Sequence, residues 1–175
     1  KKSYFGDVVK DGKPVYFTGD GAIYGENGYI TITGRTDDVI NVSGHRMGTA
    51  EVEAAVKKHN NVAAVAVVGK PHDLKGEGIF AYIVLKSVPM EHKDDVADEL
   101  ETMKEINAII KTEIGNIALC DDMVFVPDLP KTRSGKIMRR ILRAIAKGEK
   151  ITQDTSTLED PSIVGQIEDL VNTEK

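Results

Sequence analysis

The stretch "GRTDDVINVSGHRMGTAEVEAAVKKH", Gly34 to His59, changes its hydrophobic period partway along. Val39–Val42 is a short β-branched run between two glycine-containing turns, which predicts a strand. From Thr49 onward the apolar positions Val52, Ala55 and Val56 keep helical spacing, and His59 continues that face. Thr49 stands where an N-cap belongs, and Glu51 and Glu53 suit the positive end of a helix dipole. A strand passing through a turn into an amphipathic helix is the first sign of an α+β chain.

Working outward, "PVYFTGDGAIYGENGYITITG" (14–34) alternates apolar and polar residues on both sides of Asn27-Gly28, as strands joined by a hairpin turn do. Downstream, Val62–Val68 reads as a buried strand, "KPHDLKGEG" as a loop in which His72 and Asp73 are turn residues, and Ile79–Leu85 as a second strand. From about His92 to Ile114 the positions Val96, Leu100, Met103, Ile106, Ile110 and Ile114 predict a helix. Met123–Val126 makes a further strand, 127–135 a loop, and Ile137–Lys147 a basic helix. From Thr152 the chain is polar, with a short helix after Pro161. The expected fold is α+β, a small mixed sheet flanked by helices.

Composition narrows the function. The 175 residues carry a net charge of −5, with 41% hydrophobic and 29% charged residues, as in a soluble globular protein. Aromatics make up 5% and Trp is absent, which disfavours a base-stacking platform. The negative charge argues against broad nucleic-acid or anionic-membrane binding. Cys120 is the only cysteine, so there is no disulfide framework, and a small buried hydrophobe in a reducing compartment is the natural reading. The start shows no targeting segment, and the most apolar run, "NVAAVAVVG", is too short to span a bilayer. The expectation is a soluble, cytoplasmic protein.

Several residues invite chemistry. In "PDLPKTRSGKIMRRILRAI" (127–145), Lys136 follows a glycine that lets the backbone approach a ligand, with Thr132 and Ser134 adding hydroxyls. An ammonium on a flexible stem suits a point-charge contact with phosphate or carboxylate, although a loop lysine by itself is ordinarily solvated. A P-loop is rejected, because Pro130 occupies the place of its first glycine. The helix after Lys136 reads as a surface helix with cations beside a buried stripe, or as a nucleic-acid binder. Asp20 either closes an Asx-turn or accepts from two adjacent hydroxyls, as a ribose presents them. Arg35 and Arg46 are candidate phosphate forks, and the Ser43-Gly44 turn offers backbone to line a narrow channel. Asp37 and Asp38 lack a third ligand and suit a turn or hinge. His59 lacks a partner at transition-metal spacing, which leaves a weak hard-cation site built mostly of carbonyls.

Taken in order, "YFTGDGA", "GYITITGRTDDVINVSGHRMGTAEVE", "VAAVAVVGKPHDLKGE", "LPKTRSGKIMRRILR" and "DTSTLEDP" resemble the C-terminal part of AMP-forming acetyl-CoA synthetases. These belong to the adenylate-forming superfamily, and the resemblance covers nearly the whole chain. It implies a two-step reaction in which carboxylate and ATP give an acyl-adenylate and pyrophosphate, and CoA then displaces AMP. It implies that Lys136 is the adenylation lysine, moving with its domain. Asp20, Arg35 and Arg46 would contact ATP or AMP, and Ser43 and Gly44 would line the pantetheine channel. Asp37 would be the hinge, and a magnesium-type cation would lie at His59 with the carbonyls of Lys57 and Val62. ATP with Mg2+, CoA and acetate are the implied substrates, with no tightly bound organic cofactor.

The chain departs from the family in three places. Lys111 stands where an arginine usually contacts the CoA nucleotide, which keeps the charge and loses the fork. "NIALCDD" after Gly115 lacks the usual prolines, and the acidic segment around Glu91–Glu101 is longer than usual. The phosphate loop, acyl pocket and adenine-site residues of the family all precede the position of Asp20. The implied organisation is therefore 1–36 as the end of an N-terminal adenylation domain, Asp37 as hinge, 38–150 as the mobile domain and 151–175 as a tail. The N-terminal domain is the expected partner and the fragment alone is expected to be inactive. A lysine acetyltransferase and deacetylase acting on Lys136 are further expected partners. A propionyl-CoA synthetase fragment, or a non-catalytic nucleic-acid or interaction module using helix 137–147, are the competing readings.

Overall fold

The computed structural model describes residues 9–36, 38–86, 96–151 and 154–173. The expected hinge Asp37 and the expected first turn of the second helix, 92–95, lie outside the described residues. The chain divides into two compact units, Lys1–Asp38 and Val39–Lys175.

The first unit holds two hairpins. β1 (Val9–Lys10) pairs with β2 (Lys13–Pro14), and β3 (Asp20–Tyr24) pairs antiparallel with β4 (Ile30–Arg35). The turn between β3 and β4 falls on Asn27-Gly28 as expected. Gly28 has φ +81°, and the Asn27 side chain accepts the Tyr29 N–H at 3.2 Å.

The second unit is one five-stranded sheet with helices on both faces. Its strands are β5 (Val39–Val42), β6 (His45–Gly48), β7 (Val62–His72), β8 (Gly76–Leu85) and β9 (Asp122–Phe125). The order is β6-β5-β8-β7, with β9 alongside β8 in the single parallel pairing among the described residues. Helices α1 (Thr49–Val56) and α2 (Val96–Glu113) cover one face, and α3 (Arg139–Lys147) and α4 (Ser162–Thr173) the other. The α+β expectation with a mixed sheet is what forms.

Strand pleating explains the two cores. Successive side chains of a strand point to opposite faces. Val65, Val67, Ile79, Ala81 and Ile83 therefore pack with Val52, Val56, Ile106 and Ile110, while Ala66, Val68, Phe80 and Tyr82 pack with Ile141, Leu142, Ile145 and Ile167. A strand buried on both faces has to be apolar throughout, which is why Val62–Val68 shows no alternation. Each fully buried Ile or Val contributes about 1.5–3 kcal/mol. The buried Tyr82 hydroxyl donates to the Leu142 carbonyl at 2.9 Å and ties α3 to the sheet.

Several local expectations are corrected. The cap of α1 is Gly48, with no side-chain cap bond, and Thr49 is already helical and buried. The helix ends at Val56, so His59 sits in the turn beyond it. Most of "KPHDLKGEG" is strand, because the β7–β8 ladder runs on to His72↔Gly76 and closes in a tight turn. A strand forms at His45–Gly48 where only a turn was expected, paired across Ser43-Gly44 with β5. Helix α3 starts at Arg139, since Ile137 bridges to Lys131 instead. The helix after Pro161 is 12 residues long, and its Ile163, Val164, Ile167 and Val171 are core residues.

Candidate functional site

Lys136 sits at the end of a turn that bonds to itself. The Thr132 N–H donates to the Lys136 carbonyl at 2.9 Å, the Gly135 N–H to the Thr132 carbonyl at 2.8 Å, and the Lys136 N–H to Thr132 Oγ1 at 3.1 Å. Thr132 and Ser134 hydroxyls lie 2.9 Å apart. Gly135 has φ +80°, a conformation that L side chains resist, and a Cβ there would meet nothing within 4 Å. The hydroxyls expected as ligand donors thus build the turn. Lys136 itself is exposed, and its ammonium has no ion-pair partner among the described residues.

The base of this turn is held on three sides. Leu129 is core, and the Met138 N–H donates to the Pro130 carbonyl at 2.8 Å. The C-terminal segment adds a bridge between Thr132 and Leu158, and the Glu159 N–H donates to the Lys131 carbonyl at 2.9 Å. Leu158 is 2% exposed. On the third side Arg139 grips Glu53 of α1: Nη2 is 2.8 Å from both carboxylate oxygens and Nε is 3.2 Å from Oε1. Oε1 also accepts the Val67 N–H at 3.0 Å, in the strand at one end of the sheet. Arg139 thereby faces the protein, which removes it from the cationic surface that a nucleic-acid reading of this helix needs.

Ser43 and Gly44 form the two-residue turn between β5 and β6, with φ +50° and +83° as a type I′ turn requires. The Ser43 N–H donates to the Lys75 carbonyl at 2.8 Å, so this turn rests on the β7–β8 hairpin. That hairpin is stiffened in turn. His72 Nδ1 accepts the Leu74 and Lys75 N–H groups at 3.2 and 3.3 Å, and Asp121 pairs with the Lys75 ammonium and accepts the Ile79 N–H at 2.9 Å. Asp73 lies in the turn, as expected, whereas His72 is the last residue of β7 and caps the turn from the strand. Arg46 lies opposite Asn41 in the same β5–β6 hairpin, and Lys111 lies in the last turn of α2; both are exposed.

In the first unit, Asp20 and Arg35 are direct cross-strand partners. Arg35 Nη1 donates to the Thr18 carbonyl at 2.9 Å and lies 3.4 Å from Asp20 Oδ1. Thr36 donates twice to the Gly19 carbonyl, from N–H at 2.8 Å and from Oγ1 at 3.0 Å, which closes the hairpin mouth around both residues. Asp37 lies outside the described residues.

Lys57, His59 and Val62 share one turn after α1. His59 Nδ1 accepts the Asn61 N–H at 3.3 Å, so the ring proton is on Nε2 and points to Glu105 Oε2 at 2.8 Å. Both ring nitrogens are engaged, and the ring does not fit as a cation ligand in this arrangement. Backbone carbonyls of the turn keep the oxygen chemistry a hard cation prefers. Among the described residues no group of three or more His, Cys, Asp or Glu side chains is placed to hold a metal ion.

Cys120 is buried, and desolvation together with Asp121 and Asp122 pushes its thiol up to about 12. It behaves as a small apolar side chain. The residues missed in the sequence are Glu53 and Arg139. The sequence pattern suits Glu53 to the helix dipole, yet the side chain lies beside Val52 and Val56 on the apolar side of α1. An acid in that stripe needs a buried partner, and that signal was legible.

Residues 51–136 match the family described as the AMP-binding enzyme C-terminal domain, with Lys136 as the last matched residue. The chain is 64% identical over 170 residues to the acetyl-coenzyme A synthetase of Wolinella succinogenes, covering 97% of this chain and 26% of that protein. It is 57% identical over 173 residues to the acetyl-coenzyme A synthetase of Helicobacter pylori, covering 99% and 26%. The chain therefore spans about a quarter of the length of these relatives. Among solved structures, the anthranilate CoA ligase AuaEII in complex with anthranoyl-AMP superposes with a TM-score of 0.65 at 28% identity, over 83% of this chain and 26% of that one. No described helix is long and apolar enough to cross a membrane.

Proposed function

From the premise that residues 51–136 make this chain a carrier of the AMP-binding enzyme C-terminal domain, we propose that it is the C-terminal portion of an acetate–CoA ligase. The whole enzyme activates acetate with MgATP to acetyl-adenylate and pyrophosphate, then transfers the acetyl group to CoA with release of AMP. The identity of 64% to an acetyl-coenzyme A synthetase supports acetate as the acid.

In the first step two anions must meet, the acetate oxygen and the α-phosphate. The Lys136 ammonium is placed to neutralise the charge that develops between them, a contribution that needs position rather than a shifted proton. The observation that carries this reading is the self-bonded turn, which presents on a stiff base an exposed cation without an ion-pair partner among the described residues. Asp20 is the acceptor for the ribose hydroxyls, with Arg35 directing it from the facing strand, and Arg46 meets phosphate. In the second step Ser43 and Gly44 line the pantetheine path, and Lys111 meets a CoA phosphate as a point charge. Rotation about Asp37 exchanges the two arrangements, and the partner in both is the N-terminal domain of the same protein. At the cation position the carbonyls of Lys57 and Val62 would hold Mg2+ and brace the turn.

The test is Lys136→Ala in the full-length protein. Acetate-dependent exchange of pyrophosphate into ATP should be lost, while CoA acylation from added acetyl-adenylate persists. Exchange at the unmodified rate would refute the reading.

A further inference from the structure

Resting on that reading, we infer that Glu53 and Arg139 are positioning residues for Lys136, and that their ion pair sets the lysine turn relative to the hairpin bearing Ser43, Gly44 and Arg46. Arg139 is the first residue of α3 and lies three positions beyond Lys136. Its guanidinium makes the two-point contact with a carboxylate that is 7% exposed at the residue level. Glu53 belongs to α1, which follows β6 without a loop, and β6 carries Arg46 and pairs with β5 across the Ser43-Gly44 turn. One carboxylate thus joins the lysine turn, the helix behind the channel turn, and the β7 backbone through Val67.

The chemistry of the pair supports a geometric role. Burying two charges is costly, and an apolar pair of similar volume is often as stable. A planar fork on a carboxylate fixes direction as well as distance, which an apolar contact does not. The turn at Thr132–Lys136 is internally stiff, so its aim is set where it joins the domain. On the C-terminal side that joint is Arg139. Loss of the fork lets the ammonium drift while the turn stays intact.

The experiment compares Arg139→Lys, Glu53→Gln and Lys136→Ala in the full-length protein. Three quantities are read: pyrophosphate exchange, acetyl transfer to CoA from added acetyl-adenylate, and urea unfolding. Arg139→Lys keeps the charge without the fork. Glu53→Gln keeps an acceptor for Val67 and is the milder change should Arg139→Lys fail to fold. Both should lower kcat for exchange by about tenfold to a hundredfold, the cost of small misplacement of a reacting group. KM for acetate and the transfer from acetyl-adenylate should stay unchanged. Equal loss in both half-reactions would mean the pair merely supports the fold and would overturn the inference. So would undiminished exchange in both variants alongside its loss in Lys136→Ala. Undiminished exchange in Lys136→Ala itself would overturn the proposed function and this inference together.

Discussion

Arg139 and Glu53 stand 86 residues apart in the chain and meet through a two-point contact, with Nη2 at 2.8 Å from each carboxylate oxygen. The contact joins α3 to α1, helices that lie on opposite faces of the sheet. Removing one partner strands the other, so its loss should cost more than the pair contributes. Arg139→Ala should destabilise the chain by about 3 kcal/mol, the low end for a broken buried pair, because the Arg139 side chain retains 25% exposure. Urea unfolding of Arg139→Ala beside Glu53→Gln measures this; equal midpoints for both variants and the parent would contradict it.

The lysine turn depends on one backbone angle. At Gly135 φ is +80° and no atom would obstruct a Cβ, so any penalty is conformational. Gly135→Ala should cost about 1–2 kcal/mol of local stability. Gly135→Asn should cost less, since Asn tolerates the left-handed region. Hydrogen exchange at the Lys136 amide, bonded to Thr132 Oγ1, should rank the three as Gly slowest and Ala fastest. Identical rates for Ala and Asn would show that φ is not the constraint.

The segment after residue 154 is part of the fold. Leu158 is 2% exposed and Ile167 fully buried, both within the core beneath α3. Leu158→Ala and Ile167→Ala should each lower stability by about 2–5 kcal/mol. Leu158→Ala should also loosen the bridge to Thr132 and so reduce pyrophosphate exchange more than Ile167→Ala does. Unfolding midpoints unchanged in both would return this segment to the status of a polar tail.

Burial holds the Cys120 thiol protonated up to about 12, against an unfolded value near 9.0. At pH 8 only about one molecule in ten thousand carries a native thiolate, so alkylation by iodoacetamide should require unfolding. Between these two values the unfolded chain loses a proton that the folded chain keeps. Stability from this source is therefore intact below about pH 9 and falls as the pH rises toward 12. A Cys120→Ala variant should show a shallower alkaline decline; the same slope would assign that decline elsewhere, Tyr82 being the other phenol or thiol among the described residues whose proton burial retains.

Read alone, the sequence determined whatever depends on neighbours a few residues away. The doubly apolar runs at Val62–Val68 and Ile79–Ile83, the stripe along α2, and the turns at Asn27-Gly28 and Ser43-Gly44 follow from local sterics and period. For the same reason the turn carrying Lys136 was visible, and motifs in order pointed to the family. Tertiary structure decided what depends on a distant partner. Lys70–His72 and Gly76–Gly78 became strand because each supplied the other's hydrogen bonds across the turn. Ser162–Thr173 became a 12-residue core helix because α3 and the sheet offered it an apolar face. Glu53 and Arg139 could be matched only once α1 and α3 were folded against β7, since charge carries no address along the chain and burial alone makes pairing obligatory.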